Sequence, residues 1–159
     1  MSRTTAALGI AASLWIAGGF QQTLAPRLQV LGASPDFLLV LLAAGSLFLN
    51  RAQGSWLGFG CGIVHGALAG ANLTHYVISR CMGGFLAGWS RTTTLEPNFG
   101  LAAGTAFFLT LFSQVLFMFL APPREIGPYL GATMIAAVYN GVLVLPVYFL
   151  LKRALGPRA

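Results

Sequence analysis

The sequence predicts an all-α fold: a polytopic membrane protein built as a bundle of six transmembrane helices. Three observations predict it. Of 159 residues, 57% are hydrophobic and 8% are charged, where a soluble domain carries roughly 25% charge to clothe its surface. The cations stand mostly alone at the ends of long apolar stretches, the arrangement by which membrane proteins fix their orientation. Glycine is abundant, with 20 copies, and it is more frequent in spanning helices than in soluble ones. This composition excludes a soluble enzyme and a disordered tail. It also excludes a nucleic-acid partner, although a net charge of +6 would otherwise invite one.

A crossing takes about 20 residues, so the charges delimit the elements in turn. No charge interrupts the chain between Arg3 and Arg27, which places the first span at about 5–25. Arg3, the apolar run from Ala6 to Phe20 and the small residues Ala17-Gly18-Gly19 imitate a signal peptide. Five more spans follow, so an uncleaved first helix is expected. The second span, 35–50, lies between Asp36 and Arg51 and begins at Pro35, a residue favoured in a helix's first turn. Beyond Arg51 the apolar chain is broken only by Arg80, and it divides into short helices at 54–71 and 74–90 turned by Asn72-Leu73. One crossing plus a re-entrant piece is the alternative. With two crossings, Arg3, Arg51, Arg91, Lys152, Arg153 and Arg158 face the cytoplasm, and Arg27 and Arg124 face out. One crossing leaves five against three, so the positive-inside rule favours two. Spans at 99–121 and 128–151 complete the bundle, with both termini cytoplasmic. Only a handful of residues remains for each loop, so function is expected inside the bilayer or through partners.

Gly54, Gly58, Gly62, Gly66 and Gly70 recur at every fourth position of the third helix. At 3.6 residues per turn such a row drifts about 40° per step, making a smooth groove that another backbone can approach closely. Gly84 and Gly88, Gly100 and Gly104, and Gly127 and Gly131 repeat the spacing. Two readings stay open for the ladder: packing within the bundle, and a groove for a partner's transmembrane helix.

Polar residues inside the spans are the candidates for chemistry, because they are costly there unless paired or functional. His65 lies one turn from Cys61, but zinc takes three or four ligands, so no metal and no cofactor is expected. A hydrogen bond to a neighbouring helix is the simplest role for His65, and a proton-coupled role is the alternative. Arg80 either snorkels to the headgroups or lines a polar pocket with His75, Glu125 or a bound anionic group. Gln21, Gln22 and Asn140 carry amides that need partners on other helices, and Pro146 is expected to kink the last helix. Asp36, Glu96 and Glu125 are far apart in sequence and near interfaces. No catalytic constellation can be assembled from them, and the chain is not expected to be an enzyme.

Four pieces taken in order carry a resemblance: Pro35-Asp36 opening the second helix, Gly58-Phe59-x-x-Gly62-Ile63-Val64, the glycine-ended turn into a second short helix, and Tyr139-Asn140 with Pro146 and Lys152-Arg153 at the end. Over nearly its whole length the chain resembles the rod shape-determining protein MreD family. It departs where that family usually has an acidic residue four after the second glycine. Here Gly66 stands there, with His65 beside it. The resemblance implies a non-enzymatic scaffold of the bacterial cell-elongation complex, multi-pass in the inner (cytoplasmic) membrane. Its direct partner would be the bitopic scaffold MreC. Through MreC it would help couple MreB filaments to RodA and its transpeptidase partner, and so regulate peptidoglycan synthesis and cell shape. Membrane lipid, and a second copy within the complex, are further partners that it admits.

The family's fold resembles that of the substrate-binding subunits of energy-coupling-factor transporters, which implies an alternative function. A vitamin would then sit at the outer face among Gln22, His75, Tyr76, Arg80, Glu125 and Tyr129, and Ala7-x-x-x-Ala11 would dock the transporter's membrane subunit. That set of polar groups is thin, whereas a scaffold needs only the small-residue groove of Gly54 to Gly70, so the scaffold is favoured. A proton-coupled or ion-conducting protein would rest on His65 and Arg80 alone.

Overall fold

A computed structural model describes residues 3–89 and 97–155, with side chains from Leu8 to Ala154 within them. Six helices follow one another: α1 (Arg3–Thr23), α2 (Phe37–Ser46), α3 (Arg51–Ala69), α4 (Leu73–Gly88), α5 (Phe99–Leu120) and α6 (Ile126–Leu155). The fold is all-α, and the described residues contain no strand, only an isolated bridge between Val30 and Ala33 in the α1–α2 connection. Arg91, Glu96 and Arg158 lie outside the described residues.

Local chemistry sets the helix ends. Asp36 caps α2 by accepting the Leu39 N–H at 2.8 Å, so Pro35 stands just ahead of the helix rather than in its first turn. Asn50 and Gln53 form a reciprocal capping box that starts α3 at Arg51, placing this cation inside the helix rather than before it. Asn98 caps α5 through the Leu101 N–H. The chain leaves α3 at Gly70, in the left-handed region at φ 65°, and Asn72 follows at φ 57°. This left-handed pair makes the tight reversal into α4 that Asn72-Leu73 predicts, and Gly70 suits it because no Cβ opposes positive φ.

Among the described residues two helices, α5 and α6, are long and apolar enough to cross a membrane. The 10 residues of α2 rise only about 15 Å, half of a hydrocarbon core of about 30 Å. What α2 does instead is form the centre. Every residue from Leu38 to Ser46 is buried, and α2 packs against each of the other five helices. On one side it meets α5 and α6 through Leu39, Val40, Ala43, Leu47, Ala106, Val144 and Tyr148. On the other, Leu38, Leu41 and Leu42 meet Ala17, Leu57 and Cys61.

The glycine ladder belongs to the α3–α4 contact. A Cβ on Gly62 would lie 2.6 Å from Val77 Cα, and one on Gly66 2.7 Å from Leu73 Cα. One on Gly58 would lie 2.6 Å from the Arg80 carbonyl carbon, and Gly54 and Gly84 face each other backbone to backbone. The groove formed by Gly54, Gly58, Gly62 and Gly66 is thus filled by α4 of the same chain and is not open to a partner helix. Gly70 is not part of it: it is the α3 C-cap, and nothing lies within 4 Å of where its Cβ would stand.

Candidate functional site

At the N-terminus of α2 its cap residue Asp36 meets polar side chains from the other five helices. Two neighbours hold the first backbone groups there. Gln21 on α1 accepts the Phe37 N–H at 2.8 Å and donates to the Pro35 carbonyl at 3.4 Å. Asn140 on α6 accepts the Asp36 N–H at 2.9 Å and donates to Thr110 Oγ1 on α5 at 3.1 Å. Thr110 in turn donates to the Ala106 carbonyl at 2.7 Å. The amides of Gln21 and Asn140 therefore find the partners on other elements that apolar spans require.

Arg80 enters from α4 and is 3% exposed. One guanidinium nitrogen donates to Asp36 Oδ2 and another to Ser113 Oγ on α5. The other carboxylate oxygen of Asp36 caps α2 and lies 3.5 Å from His65 Nδ1 on α3. The His65 ring stacks on Tyr76 with centroids 4.1 Å apart, and Tyr76 tilts against Phe117 at 4.7 Å. These groups wall a cavity of about 150 Å³. Gln114 adds a carboxamide to its lining, with Oε1 already accepting from Tyr129 Oη at 2.7 Å.

Arg80 does not snorkel, and its partners are neither His75 nor Glu125. The His75 ring meets Phe117 edge-on at 6.1 Å, and Glu125 is exposed just ahead of α6. The acid that neutralises Arg80 is Asp36, 44 residues away in sequence. A cation inside an apolar span demands an acid, and Asp36 stands at the mouth of the most hydrophobic short stretch. That signal was present but names no partner without the fold. Ser113, Thr110 and Gln114 were missed outright, because single polar residues inside a Phe-rich helix have no pattern of their own.

The residues of the family resemblance fall into two groups. Pro35, Asp36 and Asn140 line the cavity, and Gly58 packs on the backbone of Arg80. Phe59 points the other way: it is 40% exposed, and its ring meets Trp56 edge-on. Gly66, at the position of the family's usual acid, is packed on Leu73, so the helix face it occupies is turned to α4. His65 is the residue of this pair that reaches Asp36. No family model, curated protein or solved structure matches the chain.

The arrangement is a clamp. A buried ion pair of this kind adds little net stability over an apolar substitute, yet removing one member costs about 3–5 kcal/mol because it strands the other charge. Asp36 ties α2 to α4 through its carboxylate and to α6 through its N–H, while Arg80 ties α4 to α5. Among the described residues no group of three or more His, Cys, Asp or Glu is placed to hold a metal ion. Cys61 is buried in the core, and Cys81 pairs with Ser55 across the α3–α4 seam, its Sγ 3.6 Å from the Ser55 carbonyl.

Proposed function

We propose that the chain is a non-enzymatic membrane scaffold of the bacterial cell-elongation complex, of the MreD kind, crossing the inner membrane six times with both termini cytoplasmic. The supporting observation is convergence. Pieces far apart in the chain that carry the family resemblance, Pro35-Asp36, Gly58 and Asn140, meet around one ion pair. Chance likenesses scattered along a sequence have no reason to share a structural centre. The exterior supports the membrane reading: Trp15 is 84% exposed, Phe119 74% and Trp56 72%, and apolar exposure on that scale marks a surface that water does not face. The short α2 is no obstacle, because irregular or short elements at membrane depth are tolerated where protein surrounds them, as it does here.

With the glycine ladder closed by α4, a single-span MreC-like partner would dock on the outward apolar faces. MreB, RodA and the transpeptidase would be reached through it. The cavity favours the second reading, a transporter's substrate-binding subunit, since it gathers polar groups in one place. Its size counts against that reading, because pockets for drug-sized ligands run from about 300 to 1,000 Å³ and this one is about 150 Å³. The test is purification of the tagged chain in mild detergent with mass spectrometry of what accompanies it. The scaffold reading expects a single-span protein with a coiled coil and a periplasmic β-domain. A pair of ATPases with a membrane coupling subunit would replace it with the transporter reading.

A further inference from the structure

We infer that the cavity around Asp36, Arg80 and Gln114 is a binding site for a small, uncharged, flat molecule that presents a hydrogen-bond acceptor such as a carbonyl or lactam. The inference is independent of the scaffold reading and holds for either partner set. Buried polar groups demand partners, and a ligand that enters a polar cavity replaces water by reproducing its hydrogen bonds. A volume of about 150 Å³ is enough for a six-membered ring.

The balance of unused groups selects the ligand's chemistry. Arg80 Nε is buried without a hydrogen-bond partner. Gln114 spends its oxygen on Tyr129 and keeps its amide N–H donors. Ser113 spends its oxygen lone pair on Arg80 and keeps its hydroxyl hydrogen. Donors are in surplus, so the complementary ligand accepts. The acceptors nearby are already engaged: Asp36 by Arg80 and the Leu39 N–H, Asn140 by the Asp36 N–H. Charge argues for a neutral ligand. The formal charges of Arg80 and Asp36 cancel, and an ion added beside them would sit buried without a counter-charge or would have to break the pair. Shape argues for a flat one, since Tyr76, His65 and Phe117 give the wall three rings.

The probe is 5-fluoro-2-pyridone, a neutral lactam of ring size, followed by fluorine NMR on the full chain purified in detergent. Fluorobenzene and fluoroacetate serve as the apolar and anionic controls. Saturable millimolar binding of the pyridone, at least about tenfold tighter than either control, is the expected result. Ala136→Leu places a larger side chain in the lining on α6 and should weaken pyridone binding by about tenfold or more. Gln114→Met, which keeps length and removes the amide donors, gives the same test if Ala136→Leu does not fold. Absence of saturable pyridone binding overturns the inference. So does fluorobenzene binding equally well, fluoroacetate binding better, or pyridone binding unchanged in a folded variant. Each of these outcomes leaves the co-purification test of the scaffold untouched, and the reverse also holds.

Discussion

The α3–α4 and α5–α6 hairpins carry the same glycine spacing and use it differently. On α3, Gly54, Gly58, Gly62 and Gly66 lie against the α4 backbone, and α4 answers with Gly84 and Gly88. On the second hairpin, Gly104, Gly127 and Gly131 have nothing within 4 Å of where a Cβ would stand. There the contact is made by side chains, with Tyr129 Oη donating to the Gln114 carbonyl and side-chain oxygens. A four-residue glycine period marks a helix contact where a neighbouring backbone lies on it, as α4 lies on α3 at Gly84, Arg80, Val77 and Leu73. Where no backbone comes close, as at Gly104, Gly127 and Gly131, it marks nothing. The first hairpin is joined by backbone shape and the second by side-chain bonds, and Arg80 links them by reaching from α4 to Ser113 on α5.

Leaving Arg80 without its counter-charge should have the largest effect. Asp36→Ala strands the Arg80 charge and is expected to cost about 3–5 kcal/mol, read as a fall in the unfolding midpoint in a detergent titration. Adding Arg80→Met to Asp36→Ala should recover most of the loss. If the double variant is no better than the single one, the stranded Arg80 charge is not the source of the loss. Next comes the backbone seam. Gly58→Ala places a methyl against the Arg80 carbonyl, and overpacking of this kind costs about 1–3 kcal/mol. Normal thermal stability of Gly58→Ala would show that α3 and α4 are farther apart than the comparison requires.

A smaller effect is expected in the side-chain hairpin. Tyr129→Phe removes the hydroxyl bonded to Gln114 and should cost about 1 kcal/mol, without altering the stability change caused by Gly58→Ala. The smallest belongs to the open glycines. Gly104→Ala should be neutral within about 0.5 kcal/mol or slightly stabilising, since it meets open space and alanine is the better helix former. A large loss there would mean that something covers the α5 face in the native assembly, and would make that face the first place to look for the partner helix.

Much of the fold was legible because charge in an apolar chain is informative. Arg27, Arg51 and Arg124 lie between or at the starts of helices, and Asn72 turns α3 into α4 as the sequence suggests. The central place of α2 was not legible. Its run from Phe37 to Ser46 is apolar all round, which fits a lipid-facing span as well as a buried core helix, and only packing distinguishes them. The ladder's direction was equally hidden, since periodicity identifies a face and says nothing of what covers it. The ion pair escaped for a different reason. In the sequence Asp36 is an acid near an interface beside Pro35, and Arg80 is a cation inside a span with His75 and Glu125 as its candidate partners. Their meeting depends on α2 and α4 being neighbours, a fact with no local signature.

α4 of the same chain closes the glycine face of α3. Ser55 and Cys81 lie side by side across that seam, with Ser55 Oγ 3.3 Å from the Cys81 carbonyl. In a Cys61→Ala background, Ser55→Cys with the native Cys81 should form a disulfide within one chain under mild oxidation. Both thiols would then be lost to maleimide labelling while the protein runs as a single chain on a denaturing gel. Two thiols that stay reactive, or a disulfide joining two separate chains, would contradict the claim and return the ladder to the exterior.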